Sequence, residues 1–365
     1  MAEPSMAEAS ADEPSADQVG HLPRSVGLLG GGVIGGGWAA RFMLAGVDVR
    51  LYDPDPEAER KLHEVVAMAR RAWEGLTSAP LPAEGGAQVV RSVADAVEGA
   101  DFIQESAPER IELKQKLLAE ADLSAPVDTV IASSTSGLRP TLLQSGLRHP
   151  ERMLVGHPFN PVYLLPLVEI CGGGSTAQAA VDRADAVYRA VGMRPLIVRK
   201  EIDGFIADRL LEALWREALW LVADGVATAE EVDDAIRFGA GLRWASMGTF
   251  LTYRIAGGEG GMRQFMAQFG PALEWPWTHL TDVPELTADL LDRIEQQSDA
   301  QAAGAGVRDL ERLRDDCVSA VLQGLRRTNY GAGAVLADYE RQLFARAGQT
   351  TEHRTAPADA AAGAP

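Results

Sequence analysis

The chain has 365 residues, a formal net charge of −18, and the 46% hydrophobic and 24% charged shares of an ordinary soluble globular protein. Its acidity argues against a nucleic-acid partner, because such binding is dominated by phosphate neutralisation. Cys171 and Cys317 are too few for a disulfide framework or a cysteine-rich metal site, and no run of about twenty apolar residues offers a membrane span, so a cytoplasmic protein is expected.

Residues 1–24 are mostly Ala, Glu, Asp, Ser and Pro, with neither a basic nor an apolar segment. That composition reads as a disordered extension and not as a secretory signal. The apolar run Val26-Gly27-Leu28-Leu29 then predicts a buried strand that runs into the glycine-rich segment Gly30 to Gly37. Trp38 to Leu44 has helical character, and Val47 to Tyr52 alternates into a second strand ending at Asp53. Strand, glycine loop, helix, strand and acidic residue together make the dinucleotide-binding fingerprint. Gly30 permits the tight turn, Gly32 lets a pyrophosphate approach the backbone, and Gly35 lets helix pack on strand. Val33 and Ile34 lie in the same turn and complete the predicted cradle, at the start of a helix whose amides suit phosphate. Asp53 follows Gly30 by about twenty residues, where a carboxylate accepts from both ribose hydroxyls and repels a 2′-phosphate. NAD is therefore the expected cofactor.

Pro56 to Leu76 reads as a charged amphipathic helix. Strand-like runs follow at Gln88–Val90, Asp101–Ile103 and Thr129–Ala132, with helix-like Glu109–Ala121 between the last two. This alternation predicts an α/β fold, a doubly wound, mostly parallel sheet with helices on both faces. Ligands of such sheets sit beyond the carboxyl ends of the strands. The polar tips Gln104 to Glu109 and Ser133 to Gly137 are therefore candidates, with Glu109 assigned to the cofactor. Met153-Leu154-Val155 is the next strand and delivers His157 into a loop stiffened by Pro158 and Pro161. Imidazole suits proton transfer near neutral pH, and a carboxylate such as Glu169 can fix its tautomer. The other histidines lack such a setting. Helix-like Thr176–Val191 and strand-like Pro195–Val198 complete a domain over residues 25–200.

After Lys200 the alternation stops. Ile202 to Val222 reads as one long helix with apolar residues spaced by three and four. Thr228-Ala229-Glu230-Glu231 is a capping box that opens another. Residues 201–330 are expected to form an all-helical substrate and dimerisation domain, giving a homodimer, and 331–365 a C-terminal extension, disordered towards its end.

The motifs Gly30-x-Gly32-x-x-Gly35, Glu105-Ser106-Ala107-Pro108-Glu109, Ser133-Ser134-Thr135-Ser136, His157-x-Phe159-Asn160-Pro161 through Glu169, and Gly204-Phe205-Ile206-x-x-Arg209-Leu210 are now all on the page. On these residues, from about Ser25 to Arg327, the chain resembles the 3-hydroxyacyl-CoA dehydrogenase superfamily. The resemblance implies a Rossmann-like domain, a helical dimerisation domain, His157 as general base, Glu169 holding it and Ser136 bonding the reacting oxygen. One departure is Asp208, where the acyl-CoA enzymes usually carry an Asn that binds the substrate oxygen. An anionic Asp cannot donate a hydrogen bond, but it can attract a cation or favour a protonated His157. Gln104 to Arg110, Phe159 to Pro166 and Trp244 to Tyr253 look most like the branch of the superfamily that oxidises L-carnitine. A quaternary ammonium must be held by aromatic faces and carboxylates, which makes Trp244, Phe250 and Tyr253, with Trp275 and Trp277, candidates for that wall. The alternatives are an acyl-CoA substrate, for whose phosphates Lys114 and Lys116 could serve, an L-gulonate-like sugar acid, and a non-catalytic dinucleotide-binding protein. No metal is expected.

Overall fold

In the computed structural model, residues 22–245, 248–257, 261–270, 276–279, 285, 287–290, 292 and 307–355 are described. The expectations for the amino-terminal extension and for Trp275 lie outside them. An eight-stranded sheet forms from β1 (Ser25–Leu29), β2 (Asp48–Tyr52), β3 (Ala87–Val90), β4 (Phe102–Glu105), β5 (Val130–Ser133), β6 (Met153–Pro158), β7 (Leu167–Gly172) and β8 (Arg194–Val198), in the order β3-β2-β1-β4-β5-β6-β7-β8. Strands β1 to β6 are parallel, as the doubly wound pattern requires; β7 runs antiparallel to β6, and β8 parallel to β7.

Both faces of the sheet are covered. Helices α1 (Val33–Leu44), α2 (Ala58–Leu76) and α6 (Gln178–Ala190) bury Trp38, Phe42, Leu62, Val66, Trp73 and Tyr188 on one face. Helices α3 (Val93–Val97), α4 (Ile111–Ser124) and α5 (Pro140–Leu143) pack Val93, Leu118 and Leu143 on the other. Each such side chain contributes about 1.5–3 kcal/mol by leaving water. Trp38 stacks between Phe42 and Tyr188 at centroid distances of 5.7 and 5.3 Å.

The second region opens with α7 (Ala207–Ala223), five residues later than the expected helix start at Ile202. The delay has a backbone cause. Gly204 and Phe205 both adopt the left-handed region, φ 70° and 46°, which no right-handed helix accommodates. Then come α8 (Ala229–Ala235), opened by the Thr228–Glu231 capping box, α9 (Gly241–Trp244), α10 (Gly248–Ala256) and α11 (Gly261–Phe269).

Two long helices close the described chain, α12 (Val307–Arg327) and α13 (Ala332–Thr355). They return to the sheet domain and pack against α2. Arg71 bridges to Asp316 at 2.9 Å, Gln323 Nε2 donates to the Gly75 carbonyl at 2.6 Å, and Trp73 meets Tyr339 edge-on at 5.5 Å. The segment from 331, read from sequence as an extension, is thus helical as far as Thr355. It is held there by the buried stripe Leu336, Tyr339 and Leu343.

Candidate active site

The three spaced glycines of the loop differ in what surrounds them. A Cβ on Gly30 would lie 2.8 Å from the Ser106 carbonyl, and one on Gly35 would lie 1.8 Å from the Gly30 carbonyl oxygen. Those two glycines serve the protein's own packing. Gly32, at the N-cap of α1, has nothing within 4 Å of such a Cβ, so its face is open to a ligand. Val33 beside it is exposed and Ile34 half-buried. Asp53 accepts from Gly31 N–H at 2.5 Å and Asp55 N–H at 2.8 Å, which fixes its carboxylate beside the loop with lone pairs left for a ribose. These residues fit a bound NAD.

At the neighbouring strand tips, Glu105 is fully buried and takes Lys114 Nζ at 2.9 Å, the Ala107 amide at 2.6 Å and Ser133 Oγ at 2.5 Å. Lys114 is buried too, and also donates to the Ala107 carbonyl. This corrects its candidacy as a binder of nucleotide phosphates: the ammonium is consumed inside the fold. Glu109 accepts from Thr135 Oγ1 and lies 3.4 Å from Lys114, so it ties α4 to the β5 loop that presents Ser136, itself exposed.

His157 lies within β6 and not in a loop after it, because the antiparallel register pairs Gly156, His157 and Pro158 with Ile170, Glu169 and Val168. Its Nδ1 is 3.0 Å from Glu169 Oε2. The carboxylate can only accept, so Nδ1 carries the proton and the lone pair of Nε2 is left for the site. Glu169 Oε1 accepts from the Ile206 and Ala207 amides, both at 2.9 Å, at the start of α7. Burial pushes the Glu169 carboxyl up. The hydrogen bonds from His157, Ala207 and Ile206 outweigh it and hold the group below the usual carboxylate range. Asp208, in the first turn of α7, stands 3.8 Å from His157 Nε2. Burial, with Glu169, Glu212 and Glu109 nearby, raises its carboxyl against the opposing pull of His157.

Behind this edge runs a buried polar network. Gln104 Nε2 donates to Ser134 Oγ at 2.8 Å and to the Gly156 carbonyl at 3.1 Å, next to His157. Tyr188 OH donates to Gln104 Oε1 at 2.7 Å, and Trp38 Nε1 to Ser134 Oγ at 3.0 Å. From α1, Arg41 donates to the carbonyls of Val162 and Leu165 at 3.0 Å, on the link between β6 and β7. Burial without a carboxylate partner lowers its guanidinium to about 10. The cofactor helix and the His157–Glu169 hairpin are thereby locked together.

His157, Glu169 and Asp208 are brought together, and the glycine loop meets Asp53. Of the aromatic candidates, Trp244 ends α9, Phe250 is exposed on α10, and Tyr253 stacks on Phe265 at 4.7 Å. The aromatic rings beside His157 are Phe159, edge-on at 4.8 Å, and Phe205 at 5.8 Å. Both stand in quoted motifs, but spacing alone does not say that they flank the imidazole. Arg41 was reachable from sequence only as an oddity, a charge inside an otherwise apolar helix.

A glycine loop open at Gly32 and an imidazole whose far nitrogen is fixed by a carboxylate are the kind of parts with which a CH–OH group can lose a proton to a base and a hydride to a bound dinucleotide. The molecule is an NAD-dependent dehydrogenase of that kind. The model of the 3-hydroxyacyl-CoA dehydrogenase NAD-binding domain matches residues 25–202, and that of the C-terminal domain matches 204–284. The chain belongs to the 3-hydroxyacyl-CoA dehydrogenase family. It is 55% identical over 320 residues to an L-carnitine dehydrogenase of Mesorhizobium japonicum, covering 86% of this chain and 88% of that one. It is 56% identical over 315 residues to an L-carnitine dehydrogenase of Pseudomonas aeruginosa, covering 86% and 98%. Among solved structures, an NAD-dependent 5-formyl-3-hydroxy-2-methylpyridine 4-carboxylic acid 5-dehydrogenase superposes with a TM-score of 0.69 at 28% identity, covering 82% of this chain and 97% of that one.

Proposed function

We propose that the chain oxidises the 3-hydroxyl of L-carnitine to 3-dehydrocarnitine. The observation that carries this reading is Asp208. It is an anion beside the base, and among the described residues no Lys or Arg side chain lies within ion-pair distance of it. In L-carnitine a single methylene separates the quaternary nitrogen from the reacting carbon. A hydroxyl bonded to His157 Nε2 therefore brings its cation towards the carboxylate 3.8 Å away. The face of Phe159, half-buried beside the imidazole, suits its methyl groups, and we assign Trp244, Phe250 and Tyr253 of the helical region to an outer wall. Relatives bearing this activity in their names, at 55% and 56% identity, support the same choice.

His157 takes the hydroxyl proton on Nε2 while Glu169 stabilises the imidazolium through Nδ1. NAD, when bound, supplies the acceptor for the hydride leaving C3. Ser136 is assigned to the reacting oxygen. Asp53 and the Gly32 face hold and orient the dinucleotide, and Glu109 fixes the loop opposite.

The test is NADH formation at alkaline pH with L-carnitine, D-carnitine, 3-hydroxybutyryl-CoA and L-gulonate. L-Carnitine is expected to turn over. Turnover of the CoA ester without carnitine would sink the proposal, and silence with all four would favour a non-catalytic role. Asp208→Asn should raise the carnitine KM about tenfold, equivalent to about 1.4 kcal/mol; an unchanged KM removes Asp208 from the cation site.

We further infer a cytoplasmic homodimer. Among the described residues no helix is long and apolar enough to cross a membrane. Leu211, Leu214 and Trp215 are exposed along a groove of ≈ 700 Å³ between α7 and α8, an apolar surface that a second copy would cover. Light scattering should give twice the chain mass, and Trp215→Glu should halve it.

A further inference from the structure

Oxidation of an alcohol leaves one proton on the enzyme for every hydride removed, and that proton must reach solvent before the next turnover. His157 is 4% exposed and cannot release it directly. The route through Nδ1 is closed. Glu169 is wholly buried, its Oε2 is committed to the ring, and its Oε1 accepts two backbone amides. Nε2 faces Asp208, whose side chain is 25% exposed. One turn further along α7 lies Glu212, at the i+4 position on the same face and 57% exposed.

We propose that Asp208 is the proton exit of this site, taking the proton from His157 Nε2 and passing it along α7 to water. The step rests on the dehydrogenase reading above and adds a duty for Asp208 beyond facing the substrate cation. In it the Nε2–H bond breaks and an Oδ2–H bond forms. His157 returns to its neutral tautomer, and carboxylic acid 208 gives the proton to solvent. A shift of about 1 Å brings the 3.8 Å gap to hydrogen-bond distance. The charged groups around Asp208 are His157 on β6, Glu169 on β7, Glu212 on its own helix and Glu109 from the loop before α4. Burial and the three carboxylates favour a proton on Asp208 while the imidazolium opposes it, and the net effect raises its carboxyl above the ordinary aspartate range. An amide at this position could bond the substrate oxygen but could not carry a proton.

Stopped-flow mixing in weak buffer tests this, with NADH absorbance and a pH-indicator dye recorded together at saturating L-carnitine. In the native chain proton release should keep pace with the NADH burst. In Asp208→Asn a burst should still form, but proton release should lag it about a hundredfold, the low end of what a positioned proton-transfer group contributes. Added imidazole buffer should remove the lag, and Asp208→Glu should show little of it. Synchronous release in Asp208→Asn at the lowest buffer concentration, or a lag indifferent to imidazole, overturns the proposal. If the native chain forms no NADH with L-carnitine, it is the substrate reading that fails. The relay is then judged by the same lag of proton release behind NADH with whichever of the other hydroxy substrates forms NADH, and failure to see it there overturns it.

Discussion

His157 and Glu169 stand directly opposite each other across the antiparallel β6–β7 pair, twelve residues apart in sequence, with Nδ1 and Oε2 separated by 3.0 Å. The pairing comes from backbone register, so the two side chains point to the same side of the sheet without any further adjustment. Glu169 also receives the amides of Ile206 and Ala207 at the start of α7, and thus one carboxylate joins the imidazole to the helical region.

His157→Ala should lose turnover by about 10²–10⁴-fold, the usual worth of a positioned base. NADH binding, followed by fluorescence, should survive, because the cradle at Gly30, Gly32, Gly35 and Asp53 makes no use of the imidazole. Near-normal turnover would show that the base is elsewhere.

Glu169→Gln should lower kcat more than it raises KM, since an amide cannot stabilise the imidazolium as a carboxylate does. The same carboxylate affects stability against acid. Its folded pKa is depressed, so its contribution is fully present above the ordinary glutamate value of about 4.3 and is lost as pH falls through the lower folded value. Acid unfolding monitored by circular dichroism should therefore begin at higher pH in native protein than in Glu169→Gln once both are normalised at neutral pH. Parallel curves would count against the linkage.

Asp53→Ser removes the carboxylate that accepts Gly31 N–H at 2.5 Å and faces the ribose position. The KM for NAD should rise about tenfold, and the discrimination against NADP should shrink, because the repulsion of a 2′-phosphate disappears. Unchanged discrimination would mean that another group reads the 2′ position.

Tyr188→Phe leaves Gln104 Oε1 without its donor in a fully buried setting, at a cost of about 1–3 kcal/mol by thermal unfolding. The same phenol limits position 156: a Cβ there would lie 1.9 Å from Tyr188 OH. Gly156→Ala should therefore be more damaging in native protein than in the Tyr188→Phe background. Equal damage in both would show that the hydroxyl is not the obstacle.

The sheet domain is legible in sequence because its signals are local. The glycine spacing, the apolar runs and the alternation with helices each act over a few residues, and Thr228 with Glu231 announces a helix start just as directly. His157 and Glu169 can be read as a pair because a proline-rich link returns the chain within twelve residues. What stays hidden depends on long-range packing or on single dihedrals. Phe205 reads as the first turn of a helix and is a left-handed residue beside the imidazole. Lys114 reads as a surface cation and is a buried partner of Glu105. Residues 331–365 read as an extension because the partner of the Leu336, Tyr339 and Leu343 stripe, the flank of α2, is far away along the chain.

Tyr163, on the link between His157 and Glu169, donates to Asp315 Oδ2 on α12 at 2.6 Å, and neither matched family span reaches that helix. The β6–β7 hairpin thus receives one of its braces from a segment translated long after it. Arg41 and Trp73 hold the same link from the sheet domain, so a ribosome that has passed residue 200 has made every brace of this link except the one from α12, which docks last.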